Sequence, residues 1–239
     1  NNGNILCGYD SDQYIESFSS SDSLGVVASF KDNRSGSNDI YIQHINWNGD
    51  LMMSDNGMLV ADAENDQESS SLDFSDITNK LMICWEDFRL GTEYDIYCKY
   101  INFSDNSLSE EIVLAGQDNT PGGNQTSPFV FSTTTGTFLV VWEDTRSGEG
   151  VYSDLYFQEM SHCQSYLDDG GTLLCDADFD QLNPKIDIYN ESNNSYIIYW
   201  DDLRSSGKEF LNNIFAQSYT SVNNQEEVCS DILLGDINF

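Results

Sequence analysis

The pentapeptide WEDFR, Trp85 to Arg89, decides the fold because close copies of it recur along the chain. WEDTR stands at Trp142 to Arg146, WDDLR at Trp200 to Arg204, and a more divergent copy, FKDNR, at Phe30 to Arg34. Each arginine of the chain ends one copy of the motif: Arg34, Arg89, Arg146 and Arg204. An aspartate stands two residues before each arginine, at Asp32, Asp87, Asp144 and Asp202. The motif therefore marks an internal repeat.

The repeat has a nearly constant period, because its arginines are separated by 55, 57 and 58 residues. Each unit contains the same parts: a glutamine, a β-prone run, an apolar run into the motif, a glycine-containing or serine-rich turn, an alternating run and a short closing run. These runs are rich in β-branched and aromatic residues and are too short for helices. We therefore predict four antiparallel strands in each unit.

Four short strands repeated at a fixed period are typical of a β-propeller. A lone four-stranded sheet cannot bury both faces, whereas radial stacking lets each sheet cover its neighbour. We predict an all-β propeller, a single domain over residues 1–239, with four blades of about 57 residues at roughly 9–62, 63–116, 117–177 and 178–231 and a tail at 232–239. A β-sandwich is the alternative, but it does not require the same signature at one strand end four times.

The motif side chains have a structural interpretation. Each arginine stands where a strand leaves its sheet, so it is placed to pair with the motif aspartate or to cap turn carbonyls. A catalytic arginine needs one special position, and four equivalent copies favour a scaffold role. The motif tryptophans are expected to fill the space between adjacent sheets, at Trp85, Trp142 and Trp200.

These residues resemble a repeat family of secreted or cell-surface bacterial and archaeal propellers with the motif V-V-W-x-D-x-R-x-G-x-x-D-I-Y-x-Q. The match is tight at VVWEDTRSGEG (140–150) and WEDFRLGTEYDIY (85–97) and looser at FKDNR. The resemblance implies binding or structural work more often than chemistry, and no fixed catalytic residues accompany the motif. Phe30 in place of Trp, and Asn213 in place of Asp, indicate atypical terminal blades.

The charge of the chain limits its partners. With 41 acidic and 9 basic residues, the formal net charge is −32. Such a surface repels nucleic acids and anionic membranes, so we predict neither as a partner. No run of eighteen apolar residues predicts a membrane span. The chain begins at Asn1 with no signal before it, which suggests a mature or partial chain.

Six cysteines favour an oxidising, extracellular location if they pair. If Glu86 faces Ile96 across one turn, Cys84 faces Cys98 directly, which is within disulfide reach. The second pair flanks a turn, and the third occupies equivalent repeat positions at opposite ends of the chain. We predict the disulfides Cys84–Cys98, Cys163–Cys175 and Cys7–Cys229, and the alternative is buried free thiols.

Two kinds of surface site are suggested by short patterns. N-x-S/T sequons, which predict glycosylation in a glycosylating cell, occur at Asn33, Asn102, Asn124, Asn190 and Asn193. Alternating aspartates after closing strands offer oxygen ligands suited to Ca²⁺, at Asp10, Asp12, Asp176, Asp178 and Asp180. These loops lack the glycine and the distal glutamate of a calcium loop, so solvated turns are the alternative.

Two classes of function follow. The first is a non-enzymatic extracellular propeller that acts as a structural or adhesive module, as a subunit of a cell-surface or filamentous assembly. Its expected partners are protein subunits or surface glycans. The second is a glycan-active hydrolase or glycan-binding propeller that uses acidic residues at the central mouth. A carboxylate pair about 5 to 9.5 Å apart in a deep central pocket would favour a hydrolase.

The chain ends contain one strand more than four blades need. A closing-type segment, NILCG at Asn4 to Gly8, precedes the first unit, and another, EEVCSD at Glu226 to Asp231, follows the last. Both would seek the outer edge of the fourth blade. Either a Cys7–Cys229 bond closes the ring there, or one end pairs with a neighbouring copy. The tail at 232–239 is then the expected contact to a neighbour or to a following domain.

Overall fold

The computed structural model describes residues 5–116, 122–146, 152–161, 164–165, 170–204, 213–221 and 232–233. These residues form strands, turns and one 3-10 turn at Glu191–Asn193, and none of them lies in an α-helix. Within the same ranges, no helix has the length and apolar character that crossing a membrane needs. The all-β prediction is therefore confirmed.

Four antiparallel sheets follow one another along the chain. Sheet 1 contains β1 (Gln13–Ser21), β2 (Gly25–Asp32), β3 (Asp39–Ile45) and β4 (Met58–Ala61). Sheet 2 contains β5 (Gln67–Ser75), β6 (Lys80–Asp87), β7 (Asp95–Asn102), β8 (Ser107–Leu108) and β9 (Ile112–Ala115). Sheet 3 contains β10 (Gln125–Ser132), β11 (Phe138–Asp144), β12 (Asp154–Ser161), β13 (Gln164–Ser165) and β14 (Thr172–Cys175). Sheet 4 contains β15 (Gln181–Asn190), β16 (Ser195–Asp202), β17 (Asn213–Thr220) and β18 (Ile232–Leu233).

The first strand of each sheet packs against the first strand of the next, from β1 to β5 to β10 to β15. We call these four the inner strands. Three apolar clusters lie between successive sheets, and each contains buried residues from both sheets of its pair. Among the described strands, no comparable packing joins β15 back to β1. The arrangement is propeller-like, but the described residues do not close into a four-bladed ring.

The motif residues form the same cluster in sheets 2, 3 and 4. The Trp85 indole N–H donates to Asp87 Oδ2 at 3.0 Å, and the Arg89 backbone N–H donates to Asp87 Oδ1 at 2.9 Å. The Arg89 guanidinium pairs with the same carboxylate and lies 3.8 Å above the Tyr97 ring. Equivalent contacts join Trp142, Asp144, Arg146 and Tyr156, and Trp200, Asp202, Arg204 and Phe215.

Sheet 1 keeps the cluster with one substitution. Arg34 pairs with Asp32 and lies over the Tyr41 ring at 3.9 Å. Phe30 replaces the tryptophan and stacks on Tyr41, but it has no N–H to donate. The Ser11 hydroxyl donates to Asp32 at 2.7 Å instead. The aspartates of all four sheets are almost fully buried, so each carboxylate depends on these donors.

Loop residues also link each sheet to the next. In sheets 2, 3 and 4 the inner strand begins with the repeat glutamine, Gln67, Gln125 or Gln181. The side chain of the residue before it accepts a backbone N–H from the preceding sheet at 2.9 Å: Asp66 from Asn38, Asn124 from Tyr94, and Asp180 from Ser153. The glutamine backbone N–H then donates to a carbonyl of the same preceding sheet at 2.8 Å. These bonds fix the start of each inner strand against its neighbour.

The cysteine and terminal predictions have different outcomes. Cys84 and Cys98 form a disulfide with an S–S distance of 2.11 Å, as predicted. Cys163 and Cys229 lie outside the described residues, so the other two pairings stay predictions. The outer strand of sheet 4 was expected at Glu226 to Asp231 and the tail at 232–239 was expected to contact a neighbour. Residues 226–231 lie outside the described residues, so the closing strand expected there stays a prediction, as does contact of the tail with a neighbour. Within the tail, Ile232–Leu233 pairs with β17 of the same chain.

We predict that Arg89→Ala lowers the free energy of unfolding by about 1–3 kcal/mol, because the buried Asp87 carboxylate loses its ion-pair partner. Arg89→Lys keeps the charge without the two-pronged geometry and is expected to lose less. Urea denaturation followed by tryptophan fluorescence measures both. Leu90→Ala, at the exposed next residue, is the control, and an Arg89→Ala variant as stable as this control would contradict the structural role.

Candidate functional site

An open groove of about 590 Å³ lies between the inner strands of sheets 1 and 2. Its lining comes from β1, from the end of β2 and from β5: Tyr14, Ile15, Glu16, Lys31, Ser69 and Ser70. The β1–β2 register shifts between Ile15 and Ser17, so Glu16 is skipped in the pairing. This bulge turns Glu16 toward sheet 2 and leaves Tyr14 and Ile15 57% and 64% exposed.

Glu16 is the acceptor at the wall of the groove. Its carboxylate accepts the backbone N–H groups of Ser69 and Ser70, each at 2.8 Å, and the Ser70 hydroxyl at 2.6 Å. Burial raises the pKa of Glu16, and the Ser70 and Ser69 hydrogen bonds and the charge of Lys31 act in the opposite direction. The side chain is therefore held in one orientation beside the groove.

Lys31, Glu68 and Tyr94 form a chain of polar contacts beside Glu16. Lys31 Nζ lies 2.7 Å from Glu68 Oε2, and the Tyr94 hydroxyl donates to Glu68 Oε1 at 3.1 Å. The hydrogen bond with Lys31 lowers the pKa of Glu68, and the same bond raises the pKa of Lys31. Burial, followed by the bond to Glu68, raises the pKa of Tyr94 to about 12. The groove thus has a fixed cation beside fixed acceptors.

The groove arises from a local departure in the repeat. Lys31 stands three residues before its arginine, where the other copies have Glu86, Glu143 and Asp201. Glu86 accepts the Ser127 backbone N–H of the next sheet at 2.7 Å, and Glu143 accepts that of Asn183 at 2.8 Å. At the first junction a lysine cannot accept this bond, so Glu16 supplies the carboxylate from β1. Because Glu16 accepts the junction bond, Lys31 pairs with Glu68 and lines the groove.

The N–H groups at these junctions belong to residues with unusual backbone conformation. Ser69, Ser127 and Asn183 each stand two residues after a repeat glutamine, and each has a φ of 54°. Non-glycine residues rarely adopt this left-handed conformation. The inner strands shift register at the same place. The bulge therefore aims one N–H at the carboxylate of the preceding sheet.

Among these carboxyl groups, Glu86 has the largest shift in pKa. Burial, with smaller effects from Glu68 and Glu143, raises its pKa to about 7, although the Ser127 hydrogen bond opposes the shift. Burial also raises the pKa of Glu143. A carboxyl group with a pKa near 7 can hold and release a proton at neutral pH, which is the property of a general acid.

The residues singled out from the sequence lie elsewhere. The motif Trp, Asp and Arg residues belong to the scaffold clusters and not to the groove lining. Asn33, Asn124, Asn190 and Asn193 are exposed and Asn102 is half-buried, and their glycosylation stays a prediction. In the described ranges no three His, Cys, Asp or Glu side chains are grouped to hold a metal, and Asp180 accepts the Ser153 N–H, so calcium at Asp10, Asp12, Asp176, Asp178 and Asp180 also stays a prediction.

Sequence reasoning missed the groove residues Tyr14, Glu16 and Lys31. One signal was present, because Lys31 is the only basic residue at a position that is acidic in the other three motif copies. Glu16 had no such signal. Its role depends on a bulge that the residue pattern of β1 does not reveal.

Comparison with known proteins shows the fold alone. No family profile and no curated protein match the chain. An endo-arabinase from Bacteroides thetaiotaomicron superposes with a TM-score of 0.52 and 11% identity over 91% of this chain and 76% of that chain. The GH93 α-L-arabinofuranosidase of Fusarium graminearum has a TM-score of 0.52 and 10% identity over 90% of this chain, which spans 65% of its length. The propeller-like fold is thus shared with two glycosidases.

We predict that ionisation of Glu86 opposes folding. Its pKa rises from an ordinary value of 4.5 to about 7 on folding, so the folded state holds the proton more tightly in this window. The free energy of unfolding then falls as pH rises from 4.5 to 7, by on the order of 2–3 kcal/mol from this group. Glu86→Gln keeps an acceptor for Ser127 without a charge, so its stability relative to wild type should rise between pH 4.5 and pH 8.

Urea denaturation at both pH values measures this difference. Glu110→Gln, which removes one exposed negative charge from the same sheet region, is the matched control. Equal pH dependence of Glu86→Gln and wild type would show that folding does not raise the pKa of Glu86.

Proposed function

We propose that the protein is an extracellular glycan-binding module that holds an uncharged or cationic saccharide in the groove between sheets 1 and 2. The observation that carries the proposal is an exposed aromatic ring, Tyr14, beside the fixed polar groups Glu16 and Lys31. Binding sites combine apolar surface with a few well-placed polar groups in this way. The alternative function, a structural or adhesive module, is supported by the repeat alone, and no feature as specific as this groove supports it.

The charge of the chain narrows the class of saccharide. A formal net charge of −32 repels sulfated or uronic-acid glycans. Hydroxyl groups of a neutral sugar would find acceptors on Glu16 and a donor on Lys31, and the Tyr14 ring offers an apolar face with a polar tip. The names of the two structural neighbours point to arabinose-containing substrates, so arabino-oligosaccharides are the first probe.

The proposal includes an extracellular location and a propeller of which this chain forms four blades. A fully buried disulfide, Cys84–Cys98, suits an oxidising compartment such as the cell exterior. Each of the four sheets serves as one blade, so one chain contributes four blades to a propeller. The resemblance to secreted repeat propellers supports the same location.

We predict that Tyr14→Ala and Glu16→Gln each weaken saccharide binding by about tenfold, since each removes one main contact of the groove. Isothermal titration calorimetry with neutral, cationic and sulfated oligosaccharides, arabinobiose among them, measures the effect. Tyr189→Ala, which removes an exposed tyrosine from β15, is the control. A Tyr14→Ala variant that binds as wild type, or a clear preference for sulfated glycans, would contradict the proposed site.

A glycoside hydrolase is the second candidate, favoured by the pKa of about 7 at Glu86. In that case Glu86 acts as the acid, and Glu143 is the carboxylate whose charge is coupled to it. Release of reducing sugar from arabinan, compared between wild type and Glu86→Gln, tests this activity. Hydrolysis that persists in Glu86→Gln, or that is absent from wild type, would leave Glu86 with its junction role alone.

A further inference from the structure

We infer that sheet 1 and sheet 4 present two complementary halves of one inter-sheet contact, and that sheet 4 of a second copy of this chain docks on sheet 1. The inference is independent of the saccharide proposal. It begins with one residue whose exposure breaks the repeat. Phe18 stands five residues after Gln13, as Leu72, Val130 and Ile186 stand five residues after their own repeat glutamines.

These four residues have the same place in their sheets. Each lies opposite the second-strand residue that is six before the repeat arginine: Phe18 with Ala28, Leu72 with Ile83, Val130 with Val140, and Ile186 with Ile198. In sheets 2, 3 and 4 the preceding sheet covers this position, and Leu72, Val130 and Ile186 are 4%, 3% and 3% exposed. Phe18 is 72% exposed. Sheet 1 therefore has an inner-strand face built for a preceding sheet.

Only the inner part of that face is open. Phe30 and Ala28 on the same sheet are buried. Arg34 NH2 lies 3.3 Å from Cys7 Sγ, and between sheets 3 and 4 the Arg204 guanidinium contacts Cys175 Sγ at 2.9 Å. Residues near Cys7 thus occupy the place that the end of a preceding outer strand takes at the other junction. What remains uncovered on this face is the apolar position of Phe18 on β1.

Sheet 4 carries the matching acceptors on its far face. In sheet 2, Asp73 Oδ1 accepts the backbone N–H of the following residue, Phe74, at 2.9 Å. Its other oxygen, Oδ2, accepts the Ser132 N–H of the next sheet at 2.7 Å. Asp187 has the same place in β15 and accepts the Ile188 N–H at 2.7 Å. By the same geometry its second oxygen would accept the Ser20 N–H of a docked β1. Asp201 occupies the position from which Glu86 and Glu143 reach the next inner strand.

The apolar surface of sheet 4 matches as well. Ile197 and Tyr199 hold the β16 positions that Met82 and Cys84 hold in β6, yet they are only partly buried where Met82 and Cys84 are fully buried. On β17, the pairing with β18 ends at Phe215 in the described residues, and Ile214 is 51% exposed. In the other sheets the equivalent residues Ile40, Ile96 and Leu155 pair with the end of an outer strand. The segment around Cys7 of a second copy would lie beside Ile214.

Both halves of the contact are present on this one chain, yet among the described strands β15 is not packed on β1 and Phe18 stays 72% exposed. A second copy is therefore the occupant that these observations favour. The contact is head-to-tail, so two copies joined through two such contacts close a ring of eight sheets, and a longer series remains open. A net charge of −32 on each copy opposes the approach, and salt screens that repulsion. Association is therefore expected to strengthen as ionic strength rises.

We predict that the whole chain self-associates in a concentration-dependent way, and that the association is stronger at about 500 mM NaCl than at about 50 mM NaCl. Sedimentation velocity without any saccharide measures it. Phe18→Asp on sheet 1 and Ile214→Asp on sheet 4 should each weaken association by at least about tenfold. Both side chains are exposed in the single copy, so neither variant should lower its thermal midpoint. Ile77→Asp, at an exposed apolar residue away from both faces, is the control.

A mixture of the two variants tests the head-to-tail geometry. Each variant keeps one intact half, so Phe18→Asp and Ile214→Asp should form a complex with each other although each alone does not. A wild-type chain that stays monomeric under all conditions would overturn the inference. A monomer destabilised by Phe18→Asp would also overturn it, because Phe18 would then be covered within the chain, by its own sheet 4 or by another segment.

Discussion

The structure depends on a buried aspartate that ends the second strand of every sheet. This carboxylate accepts the backbone N–H of the arginine two residues later and neutralises its guanidinium. In sheets 2, 3 and 4 it also accepts the indole N–H of the tryptophan two residues earlier, and in sheet 1 the Ser11 hydroxyl takes that place. A charge with almost no exposure is stable only while all its donors are present. The strand must therefore end, turn and present its arginine over the next strand's aromatic ring in one way. Four copies of this constraint give all four sheets the same end to their second strand.

Much of this fold follows from the sequence, because the constraint uses rare residue types. Arginine occurs only in the motif, so its spacing gives the number of sheets, and the apolar runs beside it give the strands. The pairing of Cys84 with Cys98 follows from the register of one hairpin. Ring closure does not follow, because it depends on the angle between successive sheets, and side-chain spacing within a sheet carries no information about that angle. The pairing of Ile232–Leu233 with β17 was not predicted for a related reason, since short edge strands have little pattern of their own.

The candidate site lies beyond sequence reasoning for a different reason. At the inner junctions a glutamate from one sheet holds a backbone N–H at the bulge of the next, as Glu86 holds Ser127. The groove exists where this rule is broken by Lys31 and restored by Glu16. The sequence shows the lysine, but the compensation requires knowing that a skipped residue on β1 points across the junction. Sites of this kind become visible when equivalent positions of a repeat are compared in space.

The disulfide of sheet 2 has a mechanical consequence. The Cys84–Cys98 bond joins β6 and β7, two central strands of one sheet, near their midpoints. Sheet 1 precedes this hairpin in the chain, and sheets 3 and 4 follow it. A tensile load on the two chain ends can peel strands from sheets 1 and 4 by breaking hydrogen bonds one after another. At sheet 2 the same peeling meets a covalent bond between two cysteines that are 14 positions apart in sequence. The residues between them add no contour length under force until the bond is reduced, so the extension of a stretched chain reports its redox state.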